Sequence, residues 1–407
     1  MKKISNYIIS KRFLHGWSTI YVIFLLYNVC SSLFHQNYLH SPLFADLFIN
    51  YQGGFIRRGL LGELLLFCHQ QGINPFIIAL CLSLGCYAII ASFLISNFKK
   101  RKYEISVLTM TFLLGGLGAN GIEFYRRDFI ILSIFLLILQ LWKKTSLKSW
   151  IIIGNLITIL TILCYEPFIF ISIPTTILLT YFKNKDWKKS ICYWMPSIIT
   201  FGIICLNAGG KDKYDAIVAS TSSFLETPGV MSFLLDKSKD VMLFHLHINF
   251  ISGNSSTSAI LVNGIMLSSM TFYFINAIAV YTNNRQIWEK RRYLLSIFLY
   301  MILFLSPMFT ILSIDCARTY MYVAIGTYII YFTLDKQQLN QLFPQKIYNK
   351  ADSILSISDK ILKPTPAKML FIMLFIGLSQ CSGMGIIESI KSAQLGTIFR
   401  TIYHAIS

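Results

Sequence analysis

The 407-residue chain is 55% hydrophobic, 15% aromatic and only 13% charged, with a mean hydropathy of +0.60. About a quarter of a soluble domain is charged, so this composition excludes a water-soluble globular protein. The formal charge of +18 would point a soluble protein toward nucleic acid. Here, however, Lys and Arg sit in short tracts between apolar runs, with no basic stripe interleaved with aromatics, and nucleic acid is set aside as a partner.

Apolar runs long enough to cross a hydrocarbon core recur along the whole chain. In order they cover residues 17–34, 76–98, 105–120, 129–142, 149–165, 167–182, 190–207, 258–281, 294–313, 319–334 and 368–387. They predict an all-α, polytopic transmembrane helical bundle of about eleven spans, a single integral membrane domain over 1–407. Several runs are short, which anticipates broken or re-entrant helices. The first follows Lys2, Lys3, Lys11 and Arg12 in the manner of a signal sequence, but no small-residue cleavage site follows it, so it reads as a retained span.

Charge tests the sidedness. With the N-terminus in the cytoplasm, the cytoplasmic segments hold 25 of the 36 basic residues and six of the 18 acidic ones. The basic tracts include Lys99–Lys102, Lys183–Lys189 and the lysines between Lys336 and Lys368. That asymmetry is the one that orients membrane proteins, and it places the C-terminus on the external side. Two external loops are long, 35–75 and 208–257. In the second, Pro228-Gly229 precedes a candidate interfacial helix with apolar positions Met231, Leu234, Leu235, Met242 and Leu246. The polar cytoplasmic segment 335–367 reads as a connector.

Charged residues gather at the external ends of the spans. The first loop carries Asp46, Arg57, Arg58 and Glu63; "GANGIEFYRRDF" carries Glu123, Arg126, Arg127 and Asp128; "CYEPF" carries Glu166; "SIDCARTY" carries Asp315 and Arg318. Ionisable groups at such positions are costly unless paired or lining a wet cavity, and their recurrence on one face predicts a shared polar cavity. Asp315 and Arg318, three residues apart, could equally pair on one helix face. Glu166 has no basic neighbour in its own loop, so it needs a distant partner or a raised pKa.

The stretch "YQGGFIRRGLLGELLLF" (51–67) is the densest of these. Gly53-Gly54 allows a close backbone approach, and a helix is expected from there onward. In it Arg58 and Glu63 stand about 140° apart around the axis and do not face one another. Two arginines at a glycine-rich helix start make a cradle for a phosphate or diphosphate. The competing reading is a packing motif, Gly59-x-x-Gly62, with its arginines reaching to the surface.

Other motifs carry less. The nine cysteines form no Cys-x-x-Cys pair and mostly lie inside apolar runs, as buried apolar residues do. "GLGANG" (116–121) closes an apolar run and lacks the strand–turn–helix context of a dinucleotide site. His245 and His247 alone are a weak metal signal. No metal site, nucleotide motif or cofactor is expected.

Taken together, "GGFIRRGLLGE" (53–63), "RRDF" (126–129), "YEP" (165–167) and "DCAR" (315–318) resemble Wzy-type polymerases, the integral membrane glycosyltransferases of O-antigen and capsule repeat units. The resemblance implies transfer of a glycan from undecaprenyl diphosphate to the end of a new lipid-linked repeat at the periplasmic face, within membrane lipid and with a chain-length regulator as a further partner. It implies Glu166, Asp46 or Asp315 as the catalytic carboxylate. Arg57, Arg58, Glu63, Arg126, Arg127, Asp128 and Arg318 would bind substrate. A GT-C type glycosyltransferase using a lipid phosphosugar is the nearest alternative, with Asp46 as the acid of the first external loop and a GT-C-like fold. A lipid-linked glycan flippase ranks third, because no internal repeat is visible.

Overall fold

The structure is a computed structural model, which describes residues 42–100, 127–207, 209–225, 229–235, 285–310, 312 and 316–361, with scattered positions at 19–34 and 396–406. Among the described residues every regular element is an α-helix or a short 3-10 helix. In chain order they are α1 (Pro42–Ala45), a 3-10 turn (Asp46–Phe48), α2 (Gly59–Gln70), α3 (Pro75–Lys100), α4 (Arg127–Lys144), α5 (Leu147–Cys164), α6 (Phe168–Asn184), α7 (Trp187–Tyr193) and α8 (Met195–Leu206). There follow α9 (Lys211–Thr221), a second 3-10 turn (Gly229–Leu234), α10 (Arg285–Thr310), α11 (Cys316–Thr333), α12 (Lys336–Leu342) and α13 (Gln345–Ile361).

Three stretches are long and apolar enough to cross a membrane: Pro75–Asn97, Leu147–Cys164 and Arg291–Met308. The bent pair α7 and α8 makes a fourth if counted as one span. α4, α6 and α11 also coincide with expected apolar runs but are shorter or charged at their ends. The expected spans at 17–34, 105–120, 258–281 and 368–387 lie outside the described residues or at scattered positions among them. The described residues thus supply three or four of the expected eleven spans, all helical, as a membrane protein requires. The face that α5 presents outward supports this: it buries Asn155, Thr158 and Thr161 while exposing Ile152, Leu156 and Leu160. A helix in water does the reverse, and a helix in lipid tails has no reason to hide its isoleucines.

The chain divides into two compact units, one of Ser32–Ile90 with Glu123–His245 and one of Met1–Ser31, Ala91–Ile122 and Leu246–Ser407. In the first, proline sets the breaks. Pro167 removes a donor and biases Glu166 away from helix, so α5 ends at Cys164 and α6 restarts at Phe168. The intervening turn is closed by Phe168 N–H donating to the Tyr165 carbonyl at 3.2 Å. Pro196 acts likewise at the 52° bend between α7 and α8. Trp194 fills that bend: its indole N–H donates to Thr180 Oγ1 at 2.9 Å, and its ring lies where a Cβ on Gly154 would come within 2.8 Å. Asn155 donates to the Tyr193 carbonyl at 2.8 Å and accepts from the Ser197 hydroxyl at 2.8 Å, so the broken helix keeps its polar groups paired inside the unit.

In the second unit, the polar segment expected to be a connector forms two helices. Asp335 and Gln338 close a capping box at the start of α12, and α13 packs against α10 through Arg291, which donates to Asp359 at 3.0 and 2.6 Å.

Candidate functional site

The site lies in the first unit, where three helix ends and the first loop meet. Residues 51–54 make a turn closed by Gly54 N–H donating to the Tyr51 carbonyl at 2.8 Å, with Gly54 at a φ of +93°. The expected helix does not start there. It starts at Gly59, and Arg58 stands before it in the left-handed region at φ +64°. Among the described non-glycine residues only Arg58 and Lys185 hold a positive φ. That conformation costs about 1 kcal/mol or more and needs surrounding contacts to sustain it.

Those contacts are carboxylates from elsewhere in the sequence. Arg58 Nε and Nη2 donate to Glu166 at 2.8–3.0 Å, and Nη1 donates to Asp46 Oδ1 at 3.3 Å. Its guanidinium also lies over the Tyr165 ring at 4.7 Å and the Phe233 ring at 4.8 Å. Burial by itself would raise the Glu166 carboxyl, but the Arg58 charge outweighs it and holds the group down at about 2. Burial likewise opposes charge on Arg58, and Glu166 and Asp46 together override it, leaving the guanidinium well above its usual value. Glu166 thus has the distant partner it required, and its pKa moves down rather than up.

Arg127, the first residue of α4, ties the same parts together from beneath. Its side chain is 3% exposed, and its Nε stands 3.1 Å from Asp46 Oδ2. Its other nitrogens donate to the carbonyls of Arg58 (3.2 Å), Cys164 and Asp46. The Cys164 carbonyl is one of those left open at the end of α5, so one guanidinium caps a helix and holds two loop segments.

Arg57 differs. Its Nη2 donates to the Phe233 carbonyl at 3.3 Å, and its guanidinium lies over the Phe233 ring at 4.6 Å. Its Nε has no hydrogen-bond partner, and it has no ion pair with a carboxylate among the described residues. Burial pulls its pKa down, and the charge on Glu166 opposes this. Arg58 and Arg127 are matched by Glu166 and Asp46; Arg57 is a third cation without such a match.

Glu63 belongs to the neighbouring turn. Its carboxylate accepts from Tyr51 N–H at 2.8 Å and from the Gln52 amide at 3.0 Å, and it makes no ion pair with Arg58. The Gly59-x-x-Gly62 packing motif is present as well: a Cβ on Gly62 would fall 1.9 Å from the Ile49 carbonyl, and one on Gly59 would strike the Tyr51 ring. The glycines and the arginines therefore serve one construction. The close approach allowed by Gly53 is to the Lys213 backbone on α9, where a Cβ would come within 2.6 Å.

Asp128 is buried beside Arg127 in the first turn of α4, where a negative charge suits the helix dipole. Arg126, Glu123 and Asp315 lie outside the described residues, as do His245 and His247. Arg318 is on α11, in the other unit. Tyr165 stood in the "YEP" motif without a role of its own, and Phe233 was not foreseen. Tyr165 adjoins Glu166 in sequence, and Phe233 lies four residues beyond Gly229, so aromatic residues beside the breakers were the available signal. Among the described residues no group of His, Cys, Asp or Glu could hold a metal ion.

No protein-family model matches this sequence, and no curated protein or solved structure matches it.

Proposed function

We propose that this chain is a membrane-embedded glycosyltransferase that polymerises undecaprenyl-diphosphate-linked oligosaccharide repeats, with the Arg57–Arg58 site at the periplasmic face of a bacterial inner membrane. In this reading the chain crosses the membrane about eleven times, the orientation following the distribution of Lys and Arg. The observation that carries the proposal is Arg57: a guanidinium with no carboxylate partner among the described residues, beside two arginines already neutralised by carboxylates. A framework of matched pairs that holds one surplus cation is suited to an anion supplied from outside, and a diphosphate takes a guanidinium in a two-pronged contact.

The chemistry follows from that contact. The anomeric carbon of the donor glycan breaks its bond to the diphosphate oxygen and bonds the acceptor hydroxyl oxygen. The lipid diphosphate leaves with the electron pair, and Arg57 stabilises the charge that develops on it. Glu166, held at about 2 by Arg58, is a poor acceptor for the hydroxyl proton, so this reading gives it the task of positioning Arg58. Asp46 is ion-paired to both Arg58 and Arg127 and shares that task. The hydroxyl proton passes to the departing diphosphate, whose newly freed oxygen is a stronger base than either of these paired carboxylates.

The experiment is the surface polysaccharide of the native host carrying Arg57→Ala. The expected result is a single repeat unit in place of the long-chain ladder, with the protein still inserted at normal abundance. An undiminished ladder overturns the proposal, and the loss of every repeat from the surface would favour a flippase instead.

A further inference from the structure

α13 carries its charges in an ordered way. Tyr348, Ala351 and Leu355 are buried against the unit, whereas Ile347, Ile354 and Ile357 are 40%, 37% and 57% exposed. Those three isoleucines fall within about 80° of one another around the helix axis. Exposed Lys346 and Lys350 occupy the same sector, and exposed Lys360 lies about 60° beyond Ile357. The two acids lie on about the opposite side, where both are engaged: Asp359 by Arg291 and Asp352 by Arg292 at 3.6 Å. The sector that holds the isoleucines is thus apolar and basic, with the two carboxylates on the other side of the helix, Asp359 half-buried and Asp352 exposed.

The anchoring also sets the direction of the helix. Consecutive residues Arg291, Arg292 and Tyr293 of α10 meet Asp359, Asp352 and Tyr348 of α13, the last by ring contact at 5.2 Å. These partners spread over about 16 Å of α13 but only about 3 Å of α10. α13 here runs across α10 more than along it, and Phe343, in the turn before α13, reaches further down to Tyr300. Arg291 is the first residue of the apolar stretch Arg291–Met308, so the crossing lies where that span leaves the hydrocarbon.

We propose that α13 is an interfacial helix that binds an anionic lipid leaflet, with Ile347, Ile354 and Ile357 at the acyl boundary and Lys346, Lys350 and Lys360 on lipid phosphates. Lysines standing within an apolar sector suit the headgroup layer, where their stems lie on hydrocarbon and their ammonium groups reach outward. A water-exposed face has no use for three isoleucines, and a purely hydrocarbon face would exclude the lysines. The inference is independent of the reading of the arginine cluster.

Hydrogen exchange on the full-length protein tests it, in nanodiscs of phosphatidylcholine alone or mixed with phosphatidylglycerol. Each lysine at an anionic surface contributes roughly fivefold in affinity, so amides of 345–361 should exchange at least about tenfold more slowly in the mixed discs, with α5 unchanged. Joint Lys346→Glu, Lys350→Glu and Lys360→Glu substitution should abolish the difference. Equal exchange of the wild-type segment in the two discs overturns the proposal. Protection that survives the triple substitution overturns the role of the lysines.

Discussion

Two arginine pairs in this molecule do different work. Arg291 pairs with Asp359 and Arg292 with Asp352, and Arg292 also donates to the Tyr293 hydroxyl and lies over the Tyr293 and Tyr348 rings, so each of these cations has its own carboxylate. Arg58 and Arg127 together hold two carboxylates, three main-chain carbonyls and two aromatic rings, and beside them Arg57 has a carbonyl and a ring but no acid. One-to-one pairing at a helix junction is sufficient to explain the first pair as structure. The second contains a cation more than its own packing uses, held next to a residue in a left-handed conformation, and that surplus separates a candidate site from a strut.

The comparison can be broken most directly at Arg127. Replacing it with alanine leaves the Asp46 carboxylate with Arg58 alone and takes a buried donor from three carbonyls, at a cost of about 3 kcal/mol. A large drop in the melting temperature of the purified protein is expected, and an unchanged melt would show that the cluster is not the framework described here.

Glu166→Gln should have a smaller effect that depends on pH. The folded value of about 2 lies below the ordinary value of 4.5, so the stability that Glu166 contributes is complete above about 4.5 and is lost as pH falls from there through about 2. The melting difference between wild type and Glu166→Gln should hold from neutral pH down to about 5 and then narrow. A difference that grew on acidification would reverse the sign of the coupling.

Asp359→Asn should have the smallest effect, about 1 kcal/mol, because the pair is partly open to solvent. It should appear as faster amide exchange in α13 with the Arg58 cluster untouched. A loss as large as that of Arg127→Ala would erase the distinction between the two pairs.

Much of the helical frame was legible in the sequence because it is written in local terms. The apolar runs at 76–98, 149–165 and 167–182 became α3, α5 and α6, with Ser146 capping one end and Pro167 dividing the last two. The clustering of charge at span ends was also legible, since ionisable residues near hydrocarbon need a reason. The pairing was not: Arg58 and Glu166 are 108 residues apart, and only tertiary approach decides that they meet. The start of α2 was misplaced because the Gly53-Gly54 turn and the left-handed Arg58 keep the arginines outside the helix. α9 went unforeseen because "KDKYDAIVAST" has little apolar periodicity, and α13 because its isoleucines are diluted by polar residues. The Asp335–Gln338 capping box stood in the supposed connector as an unused local signal.

The central claim is that Arg57 is reserved for an anion, and binding of a short-chain prenyl diphosphate to the full-length protein in nanodiscs tests it most directly. The account predicts saturable binding that Arg57→Ala weakens at least about tenfold, the scale of one charge-assisted contact, while the melting temperature stays within a degree or so of wild type. Equal affinity in the two proteins, with the same melt, would contradict it.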